Sequence, residues 1–423
     1  MENISERTIA LQLDQQDPLK EYRSRFLITD PDLIYMDGNS LGRLSHSAAE
    51  RMKSVVSNEW GADLVRGWNK GWWEAPGRVG DKIAALVGAA PGQVMVSDST
   101  SVNLFKLASA ALQLRSKRMK IITDTLNFPS DLYILQGLIQ LLGNRHEIVR
   151  IGSKDGEITP NLDALFAAID ENTALVTLSH VVYKSGYLYD MAAITEKAHQ
   201  TGALALWDLS HSVGAVPIEL DGCNADFAIG CTYKYLNGGP GSPAFLYVNN
   251  NLQAQTSSPI WGWWGQSAPF DFGLDYSPAP GANHFLAGSQ PMLSLLAMEA
   301  ALDPIIDAGM DAIRRKSIWM TEYMIDLTDE VLKPLGFILG TPRIPERRGS
   351  HVSLRHPDGY RINRALIDEM NVIPDFREPD NIRFGLAPLY TTFDELWQAV
   401  ERTRNVIQEK RFEKYPKDRL AVT

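Results

Sequence analysis

The sequence predicts an α/β protein, with a mainly parallel sheet between helices and a smaller α+β domain after it. The length of 423 residues exceeds what one hydrophobic core usually supports. Short β-rich runs alternate with helical patterns from about residue 94 to residue 248, which is typical of parallel sheets. Past about residue 300 this alternation stops. We therefore expect a large domain at 51–300 and a small α+β domain at 301–423, and we expect the N-terminal segment 1–50 to join the small domain.

The alternating part contains a series of short apolar strands with helices between them. Thr159 and Pro160 have the residue types of a cap and first turn for a helix through Ile169. Asp190 has the residue type of a cap for a helix that ends at Gly202. Further helices are expected at 102–114 and 130–142. The predicted strands are Val94–Val96, Lys120–Thr123, Glu147–Ile151, Ala174–Leu178, Leu204–Trp207, Phe227–Gly230 and Ala244–Val248.

The C-terminal part differs in pattern. Thr392 with Glu395 predicts a capping box before an amphipathic helix, and 366–370 marks another short helix. Short strands are expected at Val352–Leu354 and Asn381–Phe384. Before them, residues 257–291 are rich in Trp, Gly, Pro and Ser, which predicts a long functional loop region.

Composition excludes several classes of function. The net charge of −10 argues against general nucleic-acid binding, which needs a basic surface. No apolar stretch approaches the ~20 residues that span a bilayer, so no membrane partner is expected. The chain has two cysteines, Cys223 and Cys231, which predicts a reducing, cytoplasmic location without disulfides. No metal site is predicted.

Lys234 is the first candidate for chemistry. It follows an apolar strand, lies between two tyrosines and precedes a glycine-rich turn. Such a lysine would be partly desolvated, and desolvation lowers the pKa of an amine and makes it nucleophilic toward a carbonyl. The alternative is a surface lysine beside a turn, and the local sequence alone does not decide between the two.

Asp208 ends the strand before the lysine, with His211 just after it. Open α/β sheets bind ligands at the carboxyl ends of their strands. A pyridoxal-phosphate (PLP) site needs a buried carboxylate there, which keeps the pyridine nitrogen protonated. The alternatives are a helix cap for Asp208 and a structural role for His211.

A phosphate site is expected where the strand at Val94–Val96 leads into a helix. The hydroxyl-rich run Ser97–Ser101 there would offer hydroxyls and free backbone N–H groups to an anion. Simple capping of the helix uses the same residue types. Asp98 is an objection, because its charge would repel phosphate unless it points away.

The order of these parts resembles fold-type I PLP enzymes of the aminotransferase class V group. Four segments resemble the kynureninase family in particular: Asn39–Gly42, Phe128–Asp131, Tyr233–Asn237 and Gly262–Gly265. The resemblance extends from about residue 30 to residue 405. It implies a homodimer with shared active sites and hydrolysis of L-kynurenine to anthranilate and L-alanine.

Position by position, the resemblance implies that Lys234 is the Schiff-base lysine and Asp208 the partner of the pyridine nitrogen. Phe128 would stack on the ring, while Ser289 would reach the phosphate from a second subunit. Tyr233, beside the lysine, is the candidate acid for protonating Cβ. The complete set of expected cofactor contacts is Thr100, Ser101, Phe128, Pro129, Ser130, Asp131, Ser179, Asp208, His211, Tyr233, Lys234, Trp263 and Ser289.

The resemblance also implies how substrate is bound. Arg383 would grip the α-carboxylate as a bidentate fork, although a surface ion pair is the alternative. Trp68, Asn39 and Ser40 would surround the aromatic group. Trp68 and Ser289 replace the histidine and asparagine of animal enzymes that prefer 3-hydroxykynurenine. We therefore expect a preference for unsubstituted L-kynurenine, with weaker turnover of 3-hydroxy-L-kynurenine.

Other functions stay open at this point. A cysteine desulfurase needs a nucleophilic cysteine well after the lysine, whereas Cys223 and Cys231 both precede it. An aminotransferase would require a second keto acid. A PLP fold that has lost catalysis and acts as a binding subunit is disfavoured by the presence of Lys234, Asp208 and Arg383.

Overall fold

The structure is a computed structural model and describes residues 4–156 and 158–417. Its α-helices are α1 (Arg7–Gln16), α2 (His46–Ser54), α3 (Ala75–Leu86), α4 (Thr100–Leu114), α5 (Pro129–Leu141), α6 (Leu162–Ala168), α7 (Met191–Thr201), α8 (Asn250–Gln253), α9 (Met292–Ala301), α10 (Asp303–Ala308), α11 (Met310–Leu327), α12 (Gly359–Met370) and α13 (Phe393–Gln408). Shorter 3-10 or π segments lie at Lys20–Arg25, Val55–Asp63, Leu64–Lys70, Trp263–Gly265, Pro269–Asp271, Gly281–Phe285, Thr328–Leu332, Lys333–Leu335, Pro345–Arg347 and Arg411–Lys414.

The strands are β1 (Ile34–Tyr35), β2 (Val94–Val96), β3 (Lys120–Asp124), β4 (Glu147–Ile151), β5 (Thr173–Ser179), β6 (Leu204–Asp208), β7 (Phe227–Gly230), β8 (Phe245–Val248), β9 (Ile338–Leu339), β10 (His351–Arg355), β11 (Val372–Ile373), β12 (Asp375–Arg377) and β13 (Asn381–Gly385). All seven strands predicted between residues 94 and 248 are present: three have the predicted bounds, three differ by one residue at one end, and β5 is one residue longer at each end.

The large sheet has seven strands in the order β2-β8-β7-β6-β5-β3-β4. The strands from β3 to β7 pair in parallel, and β8 runs antiparallel to both β7 and β2. The central strands β5 and β6 are buried along their whole length, as expected for a sheet covered by helices on both faces. The predicted α/β class with a mainly parallel sheet is confirmed.

Separate hydrophobic cores cover the two faces of this sheet. One contains Val79 of α3 and Ile194 of α7, and the other contains Leu107 of α4 and Leu135 of α5. A third core surrounds the four-stranded antiparallel sheet β12-β13-β10-β9 and the helices α12 and α13. Ile34, from the N-terminal segment, belongs to this third core.

The N-terminal segment contacts both parts of the molecule. Its strand β1 pairs in parallel with β11, while Leu19 and Phe26 pack into a core of the large sheet. Asp17 and Lys316, both almost fully buried, form an ion pair of 2.7 Å. The domain boundaries given above stay a prediction, and their outermost residues, 1–3 and 418–423, lie outside the described part of the chain.

One local prediction is wrong. The helix expected to start with Thr159 and Pro160 begins at Leu162, and Asn161 caps it by accepting from the backbone N–H of Ala164 at 3.2 Å. The backbone N–H of Thr159 instead donates to Asp155, which holds Thr159 in the preceding turn. Thr159, Pro160 and Asn161 all have residue types that favour a helix cap or first turn. The sequence pattern alone therefore does not show which of them caps the helix.

Other local predictions are confirmed. Asp190 caps α7, and Gly202 ends it in the left-handed conformation. Thr392 and Glu395 form the reciprocal hydrogen bonds of a capping box. Residues 257–291 are a loop region with three short 3-10 turns before α9 begins. No helix in the described residues has both the length and the apolar character needed to cross a membrane.

Candidate active site

The candidate site lies at the carboxyl ends of neighbouring parallel strands. Ser179 is the last residue of β5 and Asp208 the last residue of β6, and the two are directly paired in register. Lys234 follows β7, the next strand of the sheet. Because parallel strands end at the same edge, the fold brings three residues from distant parts of the sequence to one place.

The lysine amine lies against a neutral histidine. Lys234 is half-buried, and its Nζ is 3.3 Å from Nε2 and 3.4 Å from Nδ1 of His211. Burial lowers the pKa of His211 well below its usual range, and the nearby Lys234 charge lowers this pKa further. The imidazole therefore adds no positive charge beside the amine.

Two buried carboxyl groups lie near the lysine. Asp208 accepts a hydrogen bond from the backbone N–H of Ser210 at 2.8 Å. Burial and the negative charge of Asp208 raise the pKa of Asp131 well above its usual range, while Lys234 acts in the opposite direction. The raised pKa favours the protonated form of Asp131 beside Asp208.

Phe128 lies at the open side of this cluster. Its ring centroid is 5.9 Å from Lys234 Nζ and 5.2 Å from that of Tyr183, which packs edge-to-face against it, and the side chain is 39% exposed. Asn127, which sequence reasoning missed, accepts from the backbone N–H of Phe128 at 2.9 Å and from the Ser179 hydroxyl at 2.7 Å. Its position beside the recognised Phe128 was the only signal for it.

The start of α4 has the features of an anion site. Ser99 caps the helix, and Thr100 and Ser101 occupy its first turn, where backbone N–H groups lack partners within the helix. Ser101 Oγ lies 3.3 Å from Ser130 Oγ, which brings the start of α5 beside it. The adjoining Pro129 is the first residue of α5.

The objection raised by Asp98 is answered by a residue that the sequence analysis did not single out. Asp98 accepts a hydrogen bond from the Ser97 hydroxyl at 2.6 Å and forms a short ion pair with Lys106. Lys106 is fully buried in α4. The carboxylate thus has a cationic partner within the protein.

Arg383 takes part in a buried ion pair. Its Nε donates to Asp375 Oδ1 at 2.6 Å, and its Nη2 forms a short contact with Asp375 Oδ2. Its Nη1 donates to the carbonyl of Tyr183, and Nη2 lies 3.3 Å from Ser40 Oγ. The Nε–Nη2 edge of the expected bidentate fork is therefore already used. The alternative of a surface ion pair is wrong, because Arg383 is only 1% exposed.

Two further charged residues complete this cluster. Burial and the charge of Asp375 raise the pKa of Asp37 to about 7. Burial opposes ionisation of Asp375 as well, but the positive charge of Arg383 holds the pKa of Asp375 well below its usual range. Arg377 pairs with Asp375 at 2.8 Å and keeps a third of its side chain exposed. Nothing in the local sequence distinguishes these residues from an ordinary charged surface.

The remaining predicted residues have different surroundings. Asn39 is fully buried against Gly385, where an added Cβ would lie 1.8 Å from its Oδ1. Trp68 packs edge-to-face on Trp263, at 5.9 Å between ring centroids, within a cluster that includes Trp72, Trp73 and Trp264. Ser289 is exposed. Within one chain, Lys234 contacts His211 and lies among the residues around Asp208. The ring contacts of Trp68 are instead with other tryptophans of its cluster.

Tyr233 has its hydroxyl beside a thiol. The neighbouring Cys231 and burial raise the pKa of Tyr233 well above its usual range, so the phenol stays protonated. Its carbonyl accepts a hydrogen bond from the backbone N–H of Gly42, which links the lysine segment to the N-terminal segment.

These residues fit PLP. The cofactor requires an amine for its aldehyde, a buried carboxyl group for its ring nitrogen, an apolar face for its ring and an anion site for its phosphate. Lys234, Asp208, Phe128 and the start of α4 have these properties in this structure.

Solved structures with the same fold include cysteine desulfurases. A cysteine desulfurase from Thermococcus onnurineus NA1 is 18% identical, with a TM-score of 0.78 over 92% of this chain and 98% of that chain. A cysteine desulfurase from Escherichia coli is 17% identical, with a TM-score of 0.75 over 92% of this chain and 99% of that chain. At such identities the likeness shows the fold alone, which is that of fold-type I PLP enzymes of class V.

The sequence relatives are more specific. A kynureninase of Pseudomonas fluorescens is 44% identical over 412 residues, which cover 96% of this chain and 97% of the relative. One of Burkholderia pseudomallei is 45% identical over 406 residues, 95% of each chain. The family described as "Kynureninase C-terminal domain" matches residues 313–403. The chain belongs to the kynureninase family, and its cofactor is PLP.

Proposed function

We propose that this protein hydrolyses the Cβ–Cγ bond of L-kynurenine to give anthranilate and L-alanine. The observation that carries the proposal is the placement of Lys234 beside His211, Asp208 and Asp131, in a chain that belongs to the kynureninase family. The two reactants are L-kynurenine and water. Cysteine desulfurases share the fold at low identity, which gives no support to their activity here.

Lys234 holds the cofactor and then moves the proton at the substrate Cα. When bound, PLP supplies the electron sink for breaking bonds next to the amino group. With PLP bound, Asp208 would accept the hydrogen bond of the ring nitrogen and keep the proton there. Phe128 would cover one ring face, and Asp131, Ser179 and His211 would line the surroundings.

The phosphate is held by residues from several segments: Thr100, Ser101, Ser130 with Pro129, Tyr233 and Trp263, with Ser289 from a second subunit. The protonated state of Tyr233 supports its further role as the acid that delivers a proton to Cβ, because a phenol with a raised pKa keeps its proton until a strong base accepts it.

Arg383 binds the α-carboxylate of the substrate. Since Asp375 occupies its Nε–Nη2 edge, the substrate meets the Nη1–Nη2 edge, near Ser40 and the Tyr183 carbonyl. Asn39 lies on this side of the pocket, buried against Gly385 at the end of the strand that carries Arg383. Trp68 confers a preference for unsubstituted L-kynurenine over its 3-hydroxy derivative, because the indole offers a bulky apolar edge where a hydroxyl needs a polar partner.

We further propose a cytoplasmic homodimer with shared active sites. Free Cys223 and Cys231 fit a reducing compartment. The loop region at 257–291 exposes large apolar side chains that a second copy would cover, and the exposed Ser289 follows them in sequence. The exposed residues are Ile260, Trp261, Trp263, Phe270, Phe272 and Leu274.

The test is turnover by the purified protein after incubation with PLP. We expect anthranilate and alanine from L-kynurenine without any keto acid, and a lower kcat/KM for 3-hydroxy-L-kynurenine. Lys234→Ala should abolish turnover, because the variant lacks the amine that holds the cofactor aldehyde. The readout is anthranilate fluorescence, together with the visible absorbance of the bound cofactor.

Lys117→Ala is the matched control, since Lys117 is exposed and precedes β3, at the opposite end of the parallel strands from the site. It should keep wild-type turnover. The proposal fails if the wild-type holoprotein releases no anthranilate, or if reduction with borohydride followed by peptide mapping places the cofactor on a lysine other than Lys234.

A further inference from the structure

Lys106 is an unusual residue for its position. It lies in the second turn of α4 and is fully buried, although a buried ammonium group costs several kcal/mol unless it is paired. Its Nζ has two partners: the Asp98 carboxylate, in a short ion pair, and the carbonyl oxygen of Phe285 at 2.6 Å. Neither partner belongs to the helix that carries the lysine.

Asp98 itself has a constrained backbone. Its φ of +50° lies in the left-handed region, which a non-glycine residue rarely adopts without local support. It comes two residues before Thr100, where α4 begins, and its backbone N–H faces Gln290 Oε1 at 3.4 Å. An unpaired carboxylate here would face the same helix start that receives the cofactor phosphate.

We propose that Lys106 is a positioning residue for the phosphate site. It neutralises Asp98 and holds this carboxylate away from the start of α4, so that the hydroxyls and N–H groups of Thr100 and Ser101 meet an anion without a competing negative charge. This inference rests on the proposed role of Thr100 and Ser101 in holding the phosphate.

The bond to Phe285 extends the effect to another segment. Phe285 ends the 3-10 turn Gly281–Phe285, and Ser289 and Gln290 follow a few residues later. The Lys106 ammonium group therefore connects Asp98, just before α4, to the segment that is proposed to reach a second subunit. Replacing Lys106 with an uncharged residue should therefore weaken the attachment of both Asp98 and the Phe285 segment.

The experiment measures the dissociation constant of PLP for the apoprotein of Lys106→Met. We expect it to rise at least tenfold, because the unpaired Asp98 carboxylate repels the phosphate. The dissociation constant of pyridoxal, which lacks the phosphate, should change less than twofold. A residue with a merely structural role would weaken both ligands alike.

Two further variants keep the test decisive. Lys106→Met with Asp98→Asn removes both charges and should regain most of the PLP affinity. Asp98→Asn alone, in which Asn tolerates the left-handed backbone, should bind PLP at least as tightly as the wild type. This single variant decides the matter if Lys106→Met does not fold.

Lys316→Met is the matched control, since Lys316 is also an almost fully buried lysine and pairs with Asp17 in another part of the molecule. It should lower thermal stability and leave the PLP dissociation constant of the folded protein unchanged. The inference is overturned if Lys106→Met binds PLP normally, if it weakens pyridoxal equally, or if Asp98→Asn weakens PLP. Ser101→Ala reports on the phosphate site itself: unchanged PLP affinity in that variant would refute the underlying assignment instead.

Discussion

At the scale of single residues, Asp37 and Asp375 respond in opposite ways to the same surroundings. Asp375 pairs directly with Arg383 and stays ionised, whereas burial and the charge of Asp375 raise the pKa of Asp37 to about 7. Near neutral pH the pocket proposed for the substrate carboxylate therefore changes its net charge. A pocket with one fewer negative charge binds an anionic group more tightly.

We predict that the KM for L-kynurenine rises severalfold between pH 6 and pH 8, as Asp37 loses its proton. Asp37→Asn should flatten this rise, because the amide cannot ionise. The measurement is the pH profile of KM and kcat for both proteins. Asp32→Asn, at an exposed position of the same segment, is the control and should keep the wild-type profile. An unchanged profile in Asp37→Asn would contradict the prediction.

Stability gives an independent readout of the same group. A carboxyl whose folded pKa is raised contributes stability that is fully present below its unfolded pKa, near 4, and is lost as the pH rises through about 7. Replacement by Asn removes this loss. Asp37→Asn should therefore gain in thermal stability, relative to the wild type, on going from pH 5 to pH 8.

Sequence reasoning found the residues that lie at strand ends and missed those that meet only in three dimensions. Asp208 could be predicted because it ends an apolar strand, and Lys234 because a glycine-rich turn follows it. Asp375 and Lys106 could not, since a carboxylate in a short strand and a lysine in a helix are usually solvated. Only the folded chain shows which of them are buried against an opposite charge.

At the scale of elements, helix α13 begins with a capping box that also serves as an anchor. Thr392 accepts from the Glu395 backbone N–H at 3.1 Å, and the Glu395 carboxylate accepts from the Thr392 N–H at 2.9 Å. Glu395 in addition pairs with Arg23 at 2.7 Å. The start of the helix is thus bonded to the N-terminal segment.

We predict that Thr392→Ala lowers the free energy of unfolding by about 1 kcal/mol, the usual cost of losing a helix cap. Urea denaturation followed by circular dichroism measures it. Thr8→Ala, at an exposed position inside α1, is the control and should change stability by only a few tenths of a kcal/mol. Equal effects of the two variants would show that the box contributes nothing.

The local elements were largely predictable, because caps and apolar periods act over a few residues. The capping box at Thr392 and the cap at Asp190 illustrate this. Where several capping residue types follow one another, as from Thr159 to Asn161, the choice depends on a hydrogen bond to Asp155 that the pattern does not contain.

At the scale of the whole molecule, the proposed dimer makes each active site depend on two chains. Lys234 would come from one subunit and Ser289 from the other. Lys234→Ala lacks the amine, and Ser289→Asp places a carboxylate against the phosphate. In a hybrid dimer of the two variants, one site receives both intact residues and the other receives both defects.

We predict that random mixing of these two variants restores activity to about a quarter of the wild-type value, since half of the dimers are hybrids with one good site each. The measurement is anthranilate production by the mixture, and hybrids isolated through two different tags should show about half of the wild-type activity per dimer. Lys234→Ala mixed with the double variant Lys234→Ala, Ser289→Asp is the control and should stay inactive. Inactive hybrids, or full activity of Ser289→Asp alone, would contradict shared sites.

The parallel pairing of β1 with β11 has a consequence for the order in which the protein is made. A ribosome completes all seven strands of the large sheet, with Lys234 and Asp208 at its edge, before Asp375 and Arg383 emerge. Strand β1 cannot pair with β11 during this time, because Val372, the partner of Ile34, lies 338 positions later in the chain. The nascent polypeptide thus passes through a stage in which the cofactor side of the pocket can assemble while the side that selects the substrate has not yet been synthesised.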